Sequence, residues 1–382
     1  MVDLTLLQKA EKFFSELPGE KIILSDEPFI SLKQLCQGKT IVFSGIHYAQ
    51  KLQDSGFDVW CGIEAEPASE TVEKMADFLK QTTPDTVVAF GGGSVIDAAK
   101  AALLMNSTNY PLDKLFGVNQ WSNANPEKTL PRLIAVPTTS GTGSEATPYS
   151  NIVLKKANVK KLIVEKESIP AAAIISPKLT CSMPPELTRA TGCDALAHLL
   201  EGFLNVNADD NYAPVNQWAK TGIELVVKNL SAAMQNVPEA RKALAYASLL
   251  GGMTIRYKST GLPHLCSFSW FGRIAHGDAV AILLPECWKY YLANERVAAR
   301  TMELAQIFPG TTPLEVIESF ENFLDSVGLP GGLSVWDGID AELIERTARS
   351  GAENRMKLEL APHPVPLEKS YDILKAIIKL SL

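Results

Sequence analysis

Val87–Ala101, VVAFGGGSVIDAAKA, packs three structural instructions into a short stretch. An apolar run of strand length meets three glycines, and a helix-forming stretch begins with nothing between them. A strand that turns straight into a helix in this way belongs to a layered α/β arrangement, with the helix folded back over a sheet. The flanking sequence repeats the theme. KTIVFSG (39–45), FDVWCGI (57–63) and PRLIAVPTT (131–139) are further short β-rich runs. SETVEKMADFLKQ (69–81) carries Val72, Met75, Ala76 and Leu79 at helical spacing, with Ser69 as the expected N-cap. Strands alternating with helices predict a parallel sheet.

From Met183 the pattern changes. PPELTRATGCDALAHLLEGFLN, NYAPVNQWAKTGIELVVKNL and PEARKALAYASLLGGMTIRY are long and helix-periodic, and the Pro pair in SMPPEL marks a helix start. A chain of 382 residues exceeds one ordinary domain. The expected division is therefore 1–182, a dinucleotide-binding α/β domain, and 183–382, a helical metal-binding and substrate domain. Net charge is −7 without a basic block, which argues against nucleic acid or an anionic membrane as partner. The charged N-terminus does not read as a secretory signal, and no apolar run reaches spanning length. Six scattered cysteines without C-x-x-C read as reduced thiols, and a cytoplasmic protein is expected.

Glycines allow positive φ and close approach of the backbone to a ligand, and free N–H groups at a helix start favour a phosphate. Gly91, Gly92, Gly93 and Ser94 are thus a candidate phosphate cradle; a tight turn that binds nothing has the same letters. The run is neither G-x-G-x-x-G nor a Walker loop. A second loop shifts the balance. AVPTTSGTGSEATPYSNIV (135–153) follows another strand and offers the hydroxyls of Thr138, Thr139 and Thr142 beside Gly141 and Gly143. Two such loops at strand C-terminal ends fit a nucleotide lying across the sheet edge.

In the helical half, Asp194 and His198 are four residues apart and share a helix face. One carboxylate and one imidazole leave a divalent ion under-coordinated. Of the five histidines, His264 and His276 share the segment STGLPHLCSFSWFGRIAHGDAVAILLP and would complete a carboxylate-plus-three-imidazole site.

Together GGGSVIDAAK, PTTSGTGSEAT, MPPELTRATGCDALAHLLEG and the HG.AVAILLP around His276 resemble the iron-containing (group III) alcohol dehydrogenase family. The resemblance implies a Rossmann-like N-terminal domain and an all-α C-terminal domain, the dehydroquinate synthase-like fold, with the active site in the cleft between them. It implies a metal-dependent NAD(P) oxidoreductase that interconverts a primary alcohol and an aldehyde. It places Gly91–Ser94 at the pyrophosphate and Asp97 in the same cofactor motif. Thr138, Thr139 and Thr142 belong to the second loop, with Thr147 and Tyr149 nearby; Lys160 reaches the nicotinamide ribose and Leu179 packs on the cofactor. Asp194, His198, His264 and His276 match the metal ligands, of which Asp194, His264 and His276 are expected to carry catalysis. Fe(II) and Zn(II) both suit the set, and family members are often oligomers.

The sequence departs from the family pattern in several places. His264 and His276 are 12 positions apart where the family usually has fourteen. Phe268 stands where many members carry a further histidine, and Ser176 where many carry an acid. Ser44-Gly45 replaces an acid that would repel a 2′-phosphate, so the expectation leans to NADP. Arg256, Lys258 and Arg273, in or beside this segment, suggest an anionic substrate end or else a solvated face. A T..PH..S run is similar to a subgroup that reduces phosphonoacetaldehyde. Glycerol dehydrogenase-like and dehydroquinate synthase-like chemistry are disfavoured by PTTSGTGSEAT and DALAHLLEG. A nucleotide-binding homologue without turnover stays open.

Overall fold

The computed structural model describes residues 3–15, 21–108, 110–208, 214–329 and 331–382. The chain divides into two compact units, Glu11–Ser182, and Met1–Ala10 with Met183–Leu382. The first residues thus group with the helical part instead of the α/β part to which the sequence assigned them.

Among the described residues the α/β unit contains nine strands: β1 (Lys21–Leu24), β2 (Thr40–Ser44), β3 (Asp58–Cys61), β4 (Thr86–Gly91), β5 (Gly117–Val118), β6 (Arg132–Pro137), β7 (Tyr149–Leu154), β8 (Val159–Val164) and β9 (Ala172–Ile175). Six of them form one sheet in the order β1-β9-β6-β4-β2-β3, with every pairing parallel. The order from β3 to β9 is the doubly wound 2-1-3-4-5, with β1 added at the edge. Its switch point lies between β2 and β4, at whose carboxyl ends ligands bind in such sheets.

β4 is buried along its whole length. Val87 and Ala89 pack into one layer with Val72, Met75, Leu79, Ile96 and Leu103. Val88 and Phe90 face the other, with Leu32, Leu52, Ile134 and Ile174. Burial on both faces explains why β4 reads as a continuous apolar run. The predicted Ser69 helix forms as Ser69–Thr82, but Ala68 is its N-cap and Ser69 Oγ donates to Glu70. Glu64 braces this helix start from outside, accepting from the N–H of Ala68 and from Thr71 Oγ1. A hairpin of β7 and β8 with β5 forms a second sheet that the sequence reading lacked.

The second unit is helical, with Pro185–Leu204 near its centre. That helix is buried on nearly all sides from Ala190 onward, as befits a helix that is apolar all round. Pro214–Met234, Pro238–Tyr257 and His276–Tyr291 pack against it. The predicted start of the second helix at residues 211–213 lies outside the described residues. Pro185, Pro238 and Pro313 open their helices, where a missing N–H costs nothing. No helix among the described residues is long and apolar enough to cross a membrane. All six thiols are free; Cys193, Cys266 and Cys287 are buried and Cys61 is exposed.

Candidate functional site

In the α/β unit the two predicted loops interlock. A Cβ on Gly93 would stand 2.5 Å from Thr142 Cγ2, and one on Gly92 3.2 Å from Thr139 Oγ1. On Gly91 it would meet Val95 Cγ2 at 2.5 Å. None of these three glycines has a positive φ; in the second loop Gly143 does, at 59°. The glycine run is therefore dictated by close approach of loop and side chain, and not by left-handed backbone as its letters suggest. Gly92, Ser94, Thr138, Thr139 and Thr142 remain half-buried along the rim, while Gly91, Gly93, Asp97 and Thr147 are buried beneath them.

Asp97 and Lys100, one and two turns into the Gly93–Asn106 helix, brace the second loop from below. The Asp97 carboxylate accepts from Ser144 Oγ and from Asn151 N–H at 2.9 Å. Lys100 Nζ donates to the carbonyls of Ser144, Thr147 and Tyr149 at 2.6, 2.8 and 3.0 Å. Burial pushes the Lys100 ammonium down to about 8, against the attraction of Asp97 and Glu145. Asp97, grouped by its motif with the cofactor ligands, thus has both carboxylate oxygens engaged by protein. Lys160 pairs with Glu66 at 3.1 Å, and Glu66 N–H donates to Ser94 Oγ at 3.0 Å. Tyr149 is half-buried with its phenol pushed up to about 12 by burial. Leu179 lies in the core beside Val88 and Phe90, and its carbonyl accepts from Tyr48 Oη.

In the helical unit, Oδ1 of Asp194 is met by three imidazoles. His264 Nε2 lies 3.6 Å from it, and His198 Nε2 and His276 Nε2 each 3.7 Å. Asp194, His198 and His264 are buried; the His276 side chain is 26 % exposed. Asp194 Oδ1 and His264 Nε2 are both buried without a hydrogen-bond partner, an arrangement that is costly unless something else satisfies them. Ligands about 2.1 Å from a tetrahedral ion are spaced by about 3.4 Å, close to the separations here. The donor set thus fits a divalent cation. Burial opposes ionisation of Asp194, yet the surrounding imidazoles hold its carboxyl well below the usual carboxylate range. Burial likewise disfavours charge on His264, but Glu201 and Asp194 outweigh it and raise the imidazole to about 9. Two buried carboxylates here call for positive charge, from a proton or from a metal.

The local fold explains how a loop two residues short still closes the site. Gly277 sits where a Cβ would lie 1.8 Å from the Ala190 carbonyl oxygen, so the helix carrying His276 meets the Asp194 helix backbone directly. Arg189 clamps the same crossing through a two-pronged ion pair to Asp278, with Nη2 to Oδ2 at 2.9 Å. His264 rides on Leu262–Ser267, whose first free N–H groups are taken by Glu201 and Tyr291. Phe268 stacks on His276 with centroids 6.3 Å apart. Cys266 is buried, its thiol pushed up to about 12 by burial, so it packs as an apolar residue. Lys258 is buried and donates to Asn216 Oδ1 at 2.9 Å, Arg273 donates to the Gly338 carbonyl, and Arg256 lies over the Tyr257 ring. Glu201 went unassigned in the sequence, although it lies in DALAHLLEG, three residues after His198.

Residues 28–177 match the family described as iron-containing alcohol dehydrogenase, and residues 188–378 its C-terminal domain. An alcohol dehydrogenase of Thermococcus barophilus is 33 % identical over 70 % of each chain. A sulfoacetaldehyde reductase of Bilophila wadsworthia is 31 % identical over 71 % of each. The solved structure of an alcohol dehydrogenase from Oenococcus oeni superposes with a TM-score of 0.83 at 24 % identity, covering 95 % of this chain and 98 % of that one.

Proposed function

Since the chain belongs to the iron-containing alcohol dehydrogenase family, we propose that it interconverts a primary alcohol and its aldehyde with NAD(P), using a divalent metal held by Asp194, His198, His264 and His276. The observation that carries the reading is the orphaned Oδ1 of Asp194, ringed by three imidazole nitrogens at 3.6–3.7 Å. When bound, a divalent ion there polarises the substrate oxygen, and the nicotinamide gives or takes the hydride. The protein's own part is to hold these groups. Gly92, Ser94, Thr138, Thr139 and Thr142 line the rim offered to the dinucleotide phosphates and ribose, with Asp97 and Lys100 keeping that rim in place. Asp194 supplies the one formal negative charge among the ligands, and Phe268 gives His276 an apolar cover.

The cofactor preferred is NADPH. β2 ends in Ser44-Gly45, and Ser44 Oγ is turned to the Gly45 carbonyl at 2.9 Å. Nothing lies within 4 Å of where a Gly45 Cβ would stand. That strand end therefore offers space, and no carboxylate, to a 2′-phosphate. A ligand set of one carboxylate oxygen and three imidazole nitrogens accepts Fe(II) and Zn(II) alike. A soluble cytoplasmic homo-oligomer is the setting we infer for it.

A second reading, a reductase for an aldehyde with an anionic tail, has the support of the similarity to a sulfoacetaldehyde reductase. Lys258 and Arg273 do not supply the anion clamp that their place in the sequence suggests, since both donate within the protein. The test is metal analysis of the purified chain, followed by NADPH and NADH oxidation against aliphatic, sulfo-, phosphono- and carboxy-aldehydes. Turnover that depends on Fe(II) or Zn(II) is expected, with D194N at least 100-fold slower. Metal-independent turnover, or none with either metal, refutes the proposal. Equal kcat/KM for charged and uncharged aldehydes removes the second reading alone.

A further inference from the structure

Glu201 has both carboxylate oxygens engaged. Oε1 is hydrogen-bonded to His264 Nδ1, and Oε2 accepts the N–H of Gly261. Its side chain is fully buried. It lies seven residues after Asp194 and three after His198, on the same face of Pro185–Leu204. One helix thus supplies two candidate ligands and a carboxylate behind a third. Resting on the metal reading above, we propose that Glu201 is a positioning residue for the metal: it holds the proton of neutral His264 on Nδ1 and leaves the Nε2 lone pair aimed at the Asp194 side of the site.

A neutral imidazole carries one N–H, and whichever nitrogen holds it cannot bind metal. His264 Nε2 is buried and unpartnered, 3.6 Å from Asp194 Oδ1. An acceptor behind Nδ1 selects the required tautomer and fixes the ring, the arrangement by which outer carboxylates tune metal-bound histidines. The support extends one layer further. Lys357 Nζ donates to Ser259 Oγ at 2.9 Å, and to the carbonyl and hydroxyl of Thr260 at 2.8 and 2.7 Å. Those bonds fix the residues just before Gly261, whose N–H is the second donor to Glu201. His276 Nδ1 lies 3.4 Å from Ser267 Oγ.

E201Q tests the idea with an isosteric side chain. Glutamine offers one acceptor where two donors converge. Its NH₂ either faces Nδ1, which drives the proton to Nε2, or opposes the Gly261 N–H. E201D keeps both acceptors, one methylene short. The dissociation constant for Zn(II) is measured on the purified full chain by chelator competition, with the visible spectrum of the Co(II)-loaded protein as a second readout. About 10- to 100-fold weaker binding is expected for E201Q, with an altered cobalt spectrum; E201D recovers part of the affinity. Wild-type affinity and spectrum in E201Q overturn the inference and leave the proposed function standing. Failure of the wild-type chain to bind Zn(II) or Co(II) overturns the proposed function itself. Should E201Q not fold, ¹⁵N-histidine spectra of the Zn(II)-loaded wild type decide, with His264 assigned by its loss in H264N. A proton on Nδ1 and metal on Nε2 supports the inference, and the reverse arrangement overturns it.

Discussion

A methyl group on Gly93 would intrude on Thr142 at 2.5 Å from Cγ2 and 2.7 Å from Oγ1, whereas one on Gly92 meets Thr139 at 3.2 Å. The two positions look identical in the sequence and differ in how much room they leave. We expect G93A to force the loops apart and weaken NAD(P)H binding at least tenfold, measured by fluorescence titration, with G92A losing less than G93A. Comparable losses in both would show that close approach is not the reason for the glycines. Spacing made Asp194 and His198 legible, because four residues bring two side chains to one face of any helix. Glu201 sits at the next turn of that face and was not legible, since a glutamate there serves equally as a surface charge. Only the arrival of Gly261 and His264 from another segment gives it donors.

At the level of elements, the helix Gln120–Ala124 is started by a side chain distant in sequence. Glu165 Oε2 accepts the N–H groups of Trp121 and Ser122 at 3.1 and 3.0 Å. Its other oxygen and Glu167 Oε2 are buried without a partner. Burial and the neighbouring Glu167 carboxyl raise the Glu165 pKa above its usual 4.5. The folded chain therefore keeps a proton that the unfolded chain gives up, and this pair's contribution to stability falls as pH rises above about 4.5. E167Q supplies an N–H to Glu165 and should raise the unfolding free energy at pH 7.5 by about 1 kcal/mol, with a smaller gain at pH 5, read from urea titrations. A loss of stability at both pH values would reject this account. The same element shows where sequence reading stops. The strands β2, β3, β4 and β6 were visible as apolar runs, but the hairpin of β7 and β8, with its KKLIV and NIVLKK, carries too many charges to stand out. Ser69 was a plausible cap that the fold did not use: Glu64 sits at this helix start instead, accepting from Ala68 N–H and Thr71 Oγ1.

For the whole molecule, ligand linkage is the sharpest check. A metal held at 100 times its dissociation constant stabilises the folded state by about 3 kcal/mol. Chelator-stripped protein should therefore unfold at lower urea, with Zn(II) or Fe(II) restoring the midpoint. In hydrogen exchange, metal alone should protect Pro185–Leu204 and Leu262–Ser267, and NADPH alone Gly91–Ser94 and Thr138–Gly143. Protection at neither set would contradict the assignment of the two sites. The alternation of β2, β3, β4 and β6 with helices, the change of character near residue 183 and the pairing of Asp194 with His198 were determined by the sequence, because each depends on local periodicity that a chain cannot hide. Tertiary structure decided the rest: that residues 3–10 group with the helices, that Asp97 braces a loop, that a shortened segment still brings His264 and His276 to one oxygen, and that Glu201 stands behind His264. These depend on which atoms from distant segments come within a few ångströms of one another, and spacing along the chain carries no record of that.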